Sequence, residues 1–313
     1  MELIGVPGDI DNLPLAPESR GKRWREKASS FRRREGSGTF LAGLLLFCVM
    51  AGAALAAPLI TDHDPSRNNI TARLVPPSWD WSLTERDPKA FPLGTDGLGR
   101  DMLSRILYGL RVSLLLAFAG LCLSMALGVT IGMISGVFGG RVDAILMRLV
   151  DLQLAFPYIV LAMAIVAATK TSIPILIVLL GLAGWVYFAR VVRGVVLQEM
   201  QRDYVRSAQV LGASRWRIGL RYVLPNVLPA IAIIATLQFP GLIIFEATLS
   251  FLGLGIQPPT PSLGGMMLDG TQYIASAWWV ITLPGVAILL VTLSLNIISD
   301  GLRQLLDPRL QTA

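Results

Sequence analysis

The chain alternates between long apolar runs and shorter polar segments over most of its length. An α-helix needs roughly 18–20 apolar residues to cross the hydrocarbon core of a bilayer. Six runs of this kind occupy residues 39–60, 112–138, 144–169, 173–192, 228–253 and 278–299. The pattern predicts an all-α integral membrane protein with six transmembrane helices.

The polar segments set the domain boundaries. Residues 1–38 form a basic tail, 39–60 the first span, 61–111 an external loop, 112–300 the core with spans two to six, and 301–313 a C-terminal tail. In the external loop, Met102, Ile106 and Leu110 follow helical spacing, and Asp101 and Arg105 stand four residues apart beside them. This spacing predicts a short amphipathic helix at the membrane interface with an exposed ion pair.

The distribution of basic residues indicates the orientation. Arginine and lysine crowd the N-terminal tail and residues 190–221, and Arg303 and Arg309 follow the last run. Basic loops stay on the cytoplasmic side, so both termini are predicted to lie inside. Residues 61–111 and 254–277 then face outward, and residues 193–227 form a cytoplasmic loop.

Composition supports a membrane protein over a soluble one. Hydrophobic residues make up 53% of the chain and charged residues only 15%, whereas soluble domains have about a quarter of their residues charged. The net charge of +6 arises from residues beside the apolar runs. Topology therefore explains the charge, and no nucleic-acid partner is expected.

The stretch DYVRSAQVLGASRWRIGLRYVLPNVLP, residues 203–229, interrupts the apolar pattern with arginines. At ~100° per residue its first half places one small apolar face together: Tyr204, Val205, Ala208, Leu211 and Gly212. Gly212 can end this helix because glycine tolerates a positive φ. A second stripe follows, formed by Trp216, Leu220, Val223 and Leu224, and Pro225 begins the return to the membrane.

The pattern therefore predicts a helix, a turn and a second helix lying parallel to the membrane. Two interpretations remain open for it. The segment is either an interfacial anchor against lipid headgroups or a docking element for a cytoplasmic protein that receives a helix in a groove.

The stretch resembles the "EAA" loop of binding-protein-dependent ABC importer permeases. That loop reads Glu-Ala-Ala, three residues, Gly, nine residues, Ile, one residue, Leu-Pro. Here Ala208, Gly212 and the pair Leu224-Pro225 match at the right spacing. Arg206 replaces the Glu, Ser207 the first Ala and Tyr222 the Ile. The resemblance implies that this loop contacts the ATPase subunits, through Tyr204, Arg206, Ser207, Ala208, Leu211, Gly212, Ala213, Ser214, Trp216, Leu224 and Pro225.

Three further segments sharpen the resemblance: LGTDGLGRDMLSRILYGLRVSL, ATLSFLGLGIQPPTPSLG and DGLRQLLDPRL. They resemble the C-type permease subunit of dipeptide, oligopeptide and nickel importers. The resemblance implies a type I importer fold in a bacterial or archaeal cytoplasmic membrane, with di- or oligopeptides as the first expectation for the substrate. Nickel chelates, opines and sugars remain alternatives. It also implies a homologous second permease, two ATPase subunits that bind ATP and magnesium, and an external solute-binding protein.

A few polar residues lie inside the apolar runs. Glu246 is expected to face protein or water, since a carboxylate in lipid costs about 2.5–3.5 kcal/mol. It is either a pathway residue or a structural hydrogen-bonding group. Gln153, Gln238 and Asn296 either line the pathway or join helices. Arg148 and Asp151 are three residues apart and are predicted to form a structural ion pair.

Other function classes receive less support. No GxxxxGK[ST], HExxH or GxSxG pattern occurs, and no Cys/His set has metal-ligand spacing, so neither ATP hydrolysis nor a metal site is predicted for this chain. An ion-driven secondary transporter favours inverted repeats and several buried charges. An intramembrane enzyme needs convergent catalytic groups. The sequence offers neither.

Overall fold

The computed structural model describes residues 37–78, 91–169 and 171–306. Its helices are α1 (Ser37–Leu55), α2 (Ala57–Ile60), α3 (Met102–Phe138), α4 (Gly140–Leu154), α5 (Tyr158–Thr169), α6 (Ile173–Glu199), α7 (Asp203–Val210), α8 (Arg215–Arg217), α9 (Leu224–Phe251), α10 (Leu263–Gly270) and α11 (Trp279–Leu306). A π-helical turn, Ile218–Val223, joins α8 to α9. Most of the predicted basic tail and the end of the C-terminal tail, with Arg309, lie outside the described residues.

The centre of the fold is the parallel pair α3 and α6. Small residues on α3 face larger ones on α6. Residues further along α3 contact residues further along α6, so the two helices run parallel. A Cβ on Gly120 would lie 2.4 Å from Leu180 Cβ, and one on Gly136 would lie 2.7 Å from Val196 Cβ. Glycine at these positions lets the two backbones approach closely. In lipid, where no hydrophobic effect drives helices together, this close van der Waals packing stabilises their association.

Helix α1 packs antiparallel to α11. A Cβ on Gly43 would meet Ile297, and one on Gly301 would meet Phe40. The start of α1 and the end of α11 therefore lie at the same end of the bundle. We call this the inner end, following the predicted orientation, and the end that holds Asp101 and Trp279 the outer end.

The third predicted span is bent rather than straight. Helices α4 and α5 meet at 81°, and the break contains Pro157, which cannot continue an α-helix from the preceding turn. Since α3 descends to the inner end and α6 runs parallel to it, α6 begins at the outer end. The bent pair must therefore cross once, which gives the six predicted crossings within the described residues.

The predicted interfacial helix near residue 102 is wrong. Met102 begins a continuous helix that ends at Phe138 and whose N-cap is Asp101. This helix of 37 residues is roughly 56 Å long, longer than the roughly 30 Å hydrocarbon core, so it projects beyond the membrane. Asp101 and Arg105 are buried and form no exposed pair, because the outer loop folds over them.

The outer loop is held by a buried ion-pair network that we call the outer cap. Asp96 Oδ2 accepts from Arg100 Nε at 2.7 Å and also pairs with Arg105. Asp269, at the end of α10, lies 3.4 Å from Arg100 Nη2. Burial alone would raise the pKa of Asp96, but the charges of Arg105 and Arg100 and two backbone N–H groups outweigh it, so the pKa is lowered. The predicted outer loops therefore pack on one another.

Candidate coupling site and polar residues of the membrane core

Helix α7 is fixed at its start by a tyrosine between two other helices. The Tyr204 hydroxyl donates to Glu199 Oε2 at 2.6 Å and accepts from Asn226 Nδ2 at 3.1 Å. Burial and the Glu199 carboxylate both raise the pKa of Tyr204, so the phenol stays protonated as a donor. Val205 is fully buried beside it. The segment is thus anchored to α6 and α9.

The turn after α7 forms as the sequence predicts. Gly212 has a φ of +79°, and the Ala213 N–H donates to Ala208 O at 3.0 Å. These features match the left-handed end of a helix that glycine favours. Ser214 then caps the next helix, because its side chain accepts from the Arg217 N–H. The predicted role of Gly212 as the end of the helix is confirmed.

The predicted second helix parallel to the membrane is wrong. Residues from Arg215 to Phe251 form one apolar element long enough to span, so the second helix is the first part of the fifth span. The π-helical turn at Ile218–Val223 directly precedes the Leu224-Pro225 pair. Because Pro225 has no N–H and its ring needs space, the helix widens there instead of breaking.

The apolar face predicted for residues 203–212 divides between core and surface. Val205 and Ala208 are buried, whereas Leu211 is 87% exposed, as is its neighbour Val210. Trp216 and Leu220 are also more than half exposed. We call Val210, Leu211, Gly212, Trp216 and Leu220 the coupling surface. Val210 is apolar but lies outside the apolar face that helical spacing gives for residues 203–212, and this position is the sequence signal that it faces outward.

The other residues predicted for ATPase contact occupy different surroundings. Arg206 and Ser207 are exposed on α7, and Ser214 is exposed in the turn. Ala213 and Leu224 are half-buried, and Pro225 is exposed within the first turn of α9. The structure therefore brings Arg206 to Ser214 together, while Leu224 and Pro225 belong to the base of the fifth span.

The turn is joined directly to the end of α3. Arg215 Nη1 donates to the carbonyl oxygen of Phe138 at 2.5 Å, which places a cation at the negative end of that helix. The Trp216 ring packs edge-on against Phe138 with centroids 5.1 Å apart. Displacement of the coupling surface would therefore act on α3, α6 and α9 together.

An aspartate that the sequence analysis missed joins three helices at the inner end. Asp143 of α4 accepts from Arg193 Nε at 2.5 Å and Nη2 at 2.6 Å, and Ser135 of α3 also bonds it. This fork geometry is the strong form of an arginine–carboxylate pair. Fifty residues separate Asp143 from Arg193, so helical spacing gave no sign of the pair.

The predicted pair of Arg148 with Asp151 is also wrong. Asp151 Oδ1 accepts from Arg190 Nη2 at 2.6 Å. Spacing of three residues permits an ion pair on one helix, but α6 packs beside α4 and presents an arginine to the same carboxylate. Arg148 is exposed.

Glu246 lies between α9 and α3 rather than at a surface. Glu246 is only 1% exposed, and Ser250 Oγ donates a hydrogen bond to Glu246 Oε1 at 2.8 Å. Glu246 Oε2 and Ser113 Oγ are buried without a hydrogen-bond partner within the described part of the chain. Of the two interpretations, this burial favours the structural one.

The three polar amides in the spans have different roles. Gln153 accepts from Trp185 Nε1 at 2.6 Å and also donates to the carbonyl oxygen of Leu182, so it joins α4 to α6. Gln238 is half-buried near Gly184, and Asn296 is exposed on α11. Only Gln238 and Asn296 remain open to a pathway role.

The comparisons with known proteins agree with this architecture. The family model described as "Binding-protein-dependent transport system inner membrane component" matches residues 128–312. The di/tripeptide transport system permease protein DppC of Pseudomonas aeruginosa is 39% identical over 92% of this chain and 93% of its own length. The dipeptide transport system permease protein DppC of Haemophilus influenzae is 38% identical over 90% and 93%.

Solved structures show the same fold. A crystal structure of the MetNI methionine ABC transporter in an inward-facing conformation matches with a TM-score of 0.54 and 18% identity. The match covers 66% of this chain and 98% of the solved chain. The predicted type I importer permease fold is therefore confirmed.

Proposed function

Because the chain belongs to the family of binding-protein-dependent transport system inner membrane components, we propose that it forms half of the translocation pathway of an ATP-driven importer. The sequence contains no phosphate-binding loop of the GxxxxGK[ST] type. The energy must then come from cytoplasmic ATPase subunits, which would hold ATP and magnesium. In this proposal both termini and the inner end face the cytoplasm.

The substrate class that we propose is a di- or oligopeptide. Its support is the similarity to relatives that are named as di/tripeptide and dipeptide permeases, at 38–39% identity over nearly the whole chain. Identity at this level supports the class of solute and does not choose among individual peptides. Nickel chelates, opines and sugars are the alternatives within the same family.

Three kinds of partner complete the proposed machine. A homologous second permease supplies the other half of the pathway, two ATPase subunits bind at the inner end, and an external solute-binding protein docks at the outer end. The outer cap is a folded surface formed by both outer loops, which gives the binding protein a defined place to dock. Gln238 and Asn296 are the proposed pathway residues.

The coupling surface carries the proposal. Val210 and Leu211 project from a glycine turn and are each 87% exposed, although isolated exposed leucine and valine side chains gain nothing from water. An apolar groove on a partner would bury them. Arg206, Ser207 and Ser214 surround this tip and would supply the polar rim of the contact.

The anchors of the tip explain how movement would be transmitted. Tyr204 ties α7 to α6 and α9, and Arg215 ties the turn to α3. Closure of the ATPase pair would move this lever as one body. A lever attached to three spans can shift a bundle between inward-open and outward-open states.

The test is reconstitution of the full chain with its companion permease, ATPases and binding protein in liposomes. We expect uptake of a labelled dipeptide that requires ATP on the ATPase side and the binding protein on the other. Uptake driven by a proton or sodium gradient without ATP would contradict the proposal and indicate a secondary transporter.

A further inference from the structure

A narrow apolar groove opens on the outer half of the membrane region, between α1, α3 and α9. Its volume is about 290 Å³. The walls are formed by Phe47, Ala51 and Leu55 of α1, Leu115 and Phe118 of α3, and Phe239 of α9. Among the described residues that line it, only Arg111 is charged.

The groove lies at the surface of the bundle rather than at its centre. Leu55, Leu115 and Phe118 are each more than half exposed, so the groove is open along its side. Phe118 and Phe239 meet edge to face with centroids 6.3 Å apart and close its inner end. Seven residues separate Arg111 from Phe118, which places the guanidinium about 10 Å further out along the helix.

Arg111 stands where the apolar run of α3 begins. Its side chain is half-buried, and no described residue forms a hydrogen bond or ion pair with its guanidinium. An arginine at the edge of hydrocarbon is costly unless its charge reaches an anion or the interface. Guanidinium groups bind phosphate oxygens through two parallel hydrogen bonds.

We propose that this groove binds one phospholipid, with its phosphate on Arg111 and one acyl chain lying between α1 and α3. Arg111 lies further out than the apolar walls, as the phosphate of a phospholipid lies further out than its acyl chains. The lipid would join α1, of which 11% is buried, to α3.

The test uses the complete transporter in nanodiscs that contain phosphatidylglycerol with a photoreactive group on one acyl chain. We expect labelled peptides from the groove walls. Arg111→Gln should lower this labelling at least fivefold, whereas Arg111→Lys should retain most of it. Arg141→Gln is the matched control, because Arg141 is exposed at the inner end, and it should change nothing.

A groove-filling variant and competition by unlabelled molecules test the acyl-chain contact and the phosphate contact separately. Phe118→Trp, which fills the groove, should lower labelling without changing Arg111, and unlabelled phosphatidylcholine should compete where diacylglycerol and inorganic phosphate do not. Labelling that resists both Arg111→Gln and Phe118→Trp would overturn the proposal. A disulfide between a cysteine placed at residue 118 and the companion permease would also overturn it, because the groove would then be a subunit interface.

Discussion

Arg215 Nη1 donates a hydrogen bond of 2.5 Å to the carbonyl oxygen of Phe138, and this contact joins the turn below α7 to the end of α3. We predict that Arg215→Ala uncouples the two without preventing ATPase binding. Because this bond is exposed to solvent, its loss costs about 1 kcal/mol. That corresponds to roughly a fivefold shift between conformations. Substrate-stimulated ATP hydrolysis should fall by about that factor.

Arg217→Ala is the control for this prediction. Arg217 is exposed two residues away, and it contacts Ser214 through its backbone N–H. Equal losses in both variants would show that the arginines act through general surface charge and not through the end of α3.

The outer cap depends on Asp96, which is paired with Arg100 and Arg105. Asp96→Asn leaves two buried guanidinium groups without their shared carboxylate. Breaking a buried pair in this way costs about 3–5 kcal/mol. Thermal unfolding of the purified complex should begin at a lower temperature, whereas the exposed Asp64→Asn should leave the midpoint unchanged. An unchanged midpoint for Asp96→Asn would contradict the account of the cap.

The same aspartate gives a pH dependence. Its pKa is lowered in the folded protein, so the carboxylate stabilises the fold at every pH above its unfolded value of about 3.9. This contribution is lost as the pH falls through the lower, folded pKa. Limited proteolysis of the outer loop should therefore stay slow at pH 5, and Asp96→Asn should abolish the further acid sensitivity below pH 4.

The packing of α3 on α6 requires glycine at residue 128. A Cβ there would lie 2.4 Å from both Phe188 Cβ and the carbonyl oxygen of Trp185. We predict that Gly128→Ala destabilises the complex by about 1–3 kcal/mol through overpacking. Gly52→Ala on α1, where nothing lies within 4 Å, should be neutral or slightly stabilising. Similar thermal midpoints in the two variants would contradict the close approach.

Glu246 is predicted to act through hydrogen bonding within the bundle. Glu246→Gln keeps the acceptor for Ser250 and should retain assembly and dipeptide uptake within about twofold, while Glu246→Leu should lower stability by about 1–3 kcal/mol. Loss of uptake in Glu246→Gln with intact assembly would show instead that the carboxylate takes part in transport.

Hydropathy predicted the number of spans because each apolar run is long, but it carries no directional information within a run. The 81° bend between α4 and α5 was therefore missed, although Pro157 marks its place. Gly212 was predicted correctly because few residues other than glycine tolerate its φ of +79°. This preference of glycine for a positive φ is a local property of the backbone and does not depend on tertiary contacts.

The errors share a different cause. Arg105 was expected at the surface and Asp151 beside Arg148, since helical spacing reports only neighbours on one helix. Their actual partners, Asp96 and Arg190, come from other segments. For the same reason, helical spacing grouped Leu211 with Val205 and Ala208 on one apolar face, although only the latter two are buried. Periodicity shows that a face is apolar and does not show what covers it.

The most direct test of the coupling surface is Leu211→Asp in the reconstituted transporter, with binding-protein-stimulated ATP hydrolysis as the readout. Leu211 is 87% exposed, so the substitution should leave the fold intact and act only on the partner contact. We predict weakened ATPase binding and loss of stimulation, whereas Ile274→Asp, an equally charged change at an exposed outer position, should leave ATPase binding unchanged. Unchanged binding and stimulation in Leu211→Asp would contradict the account and leave the loop as an interfacial anchor.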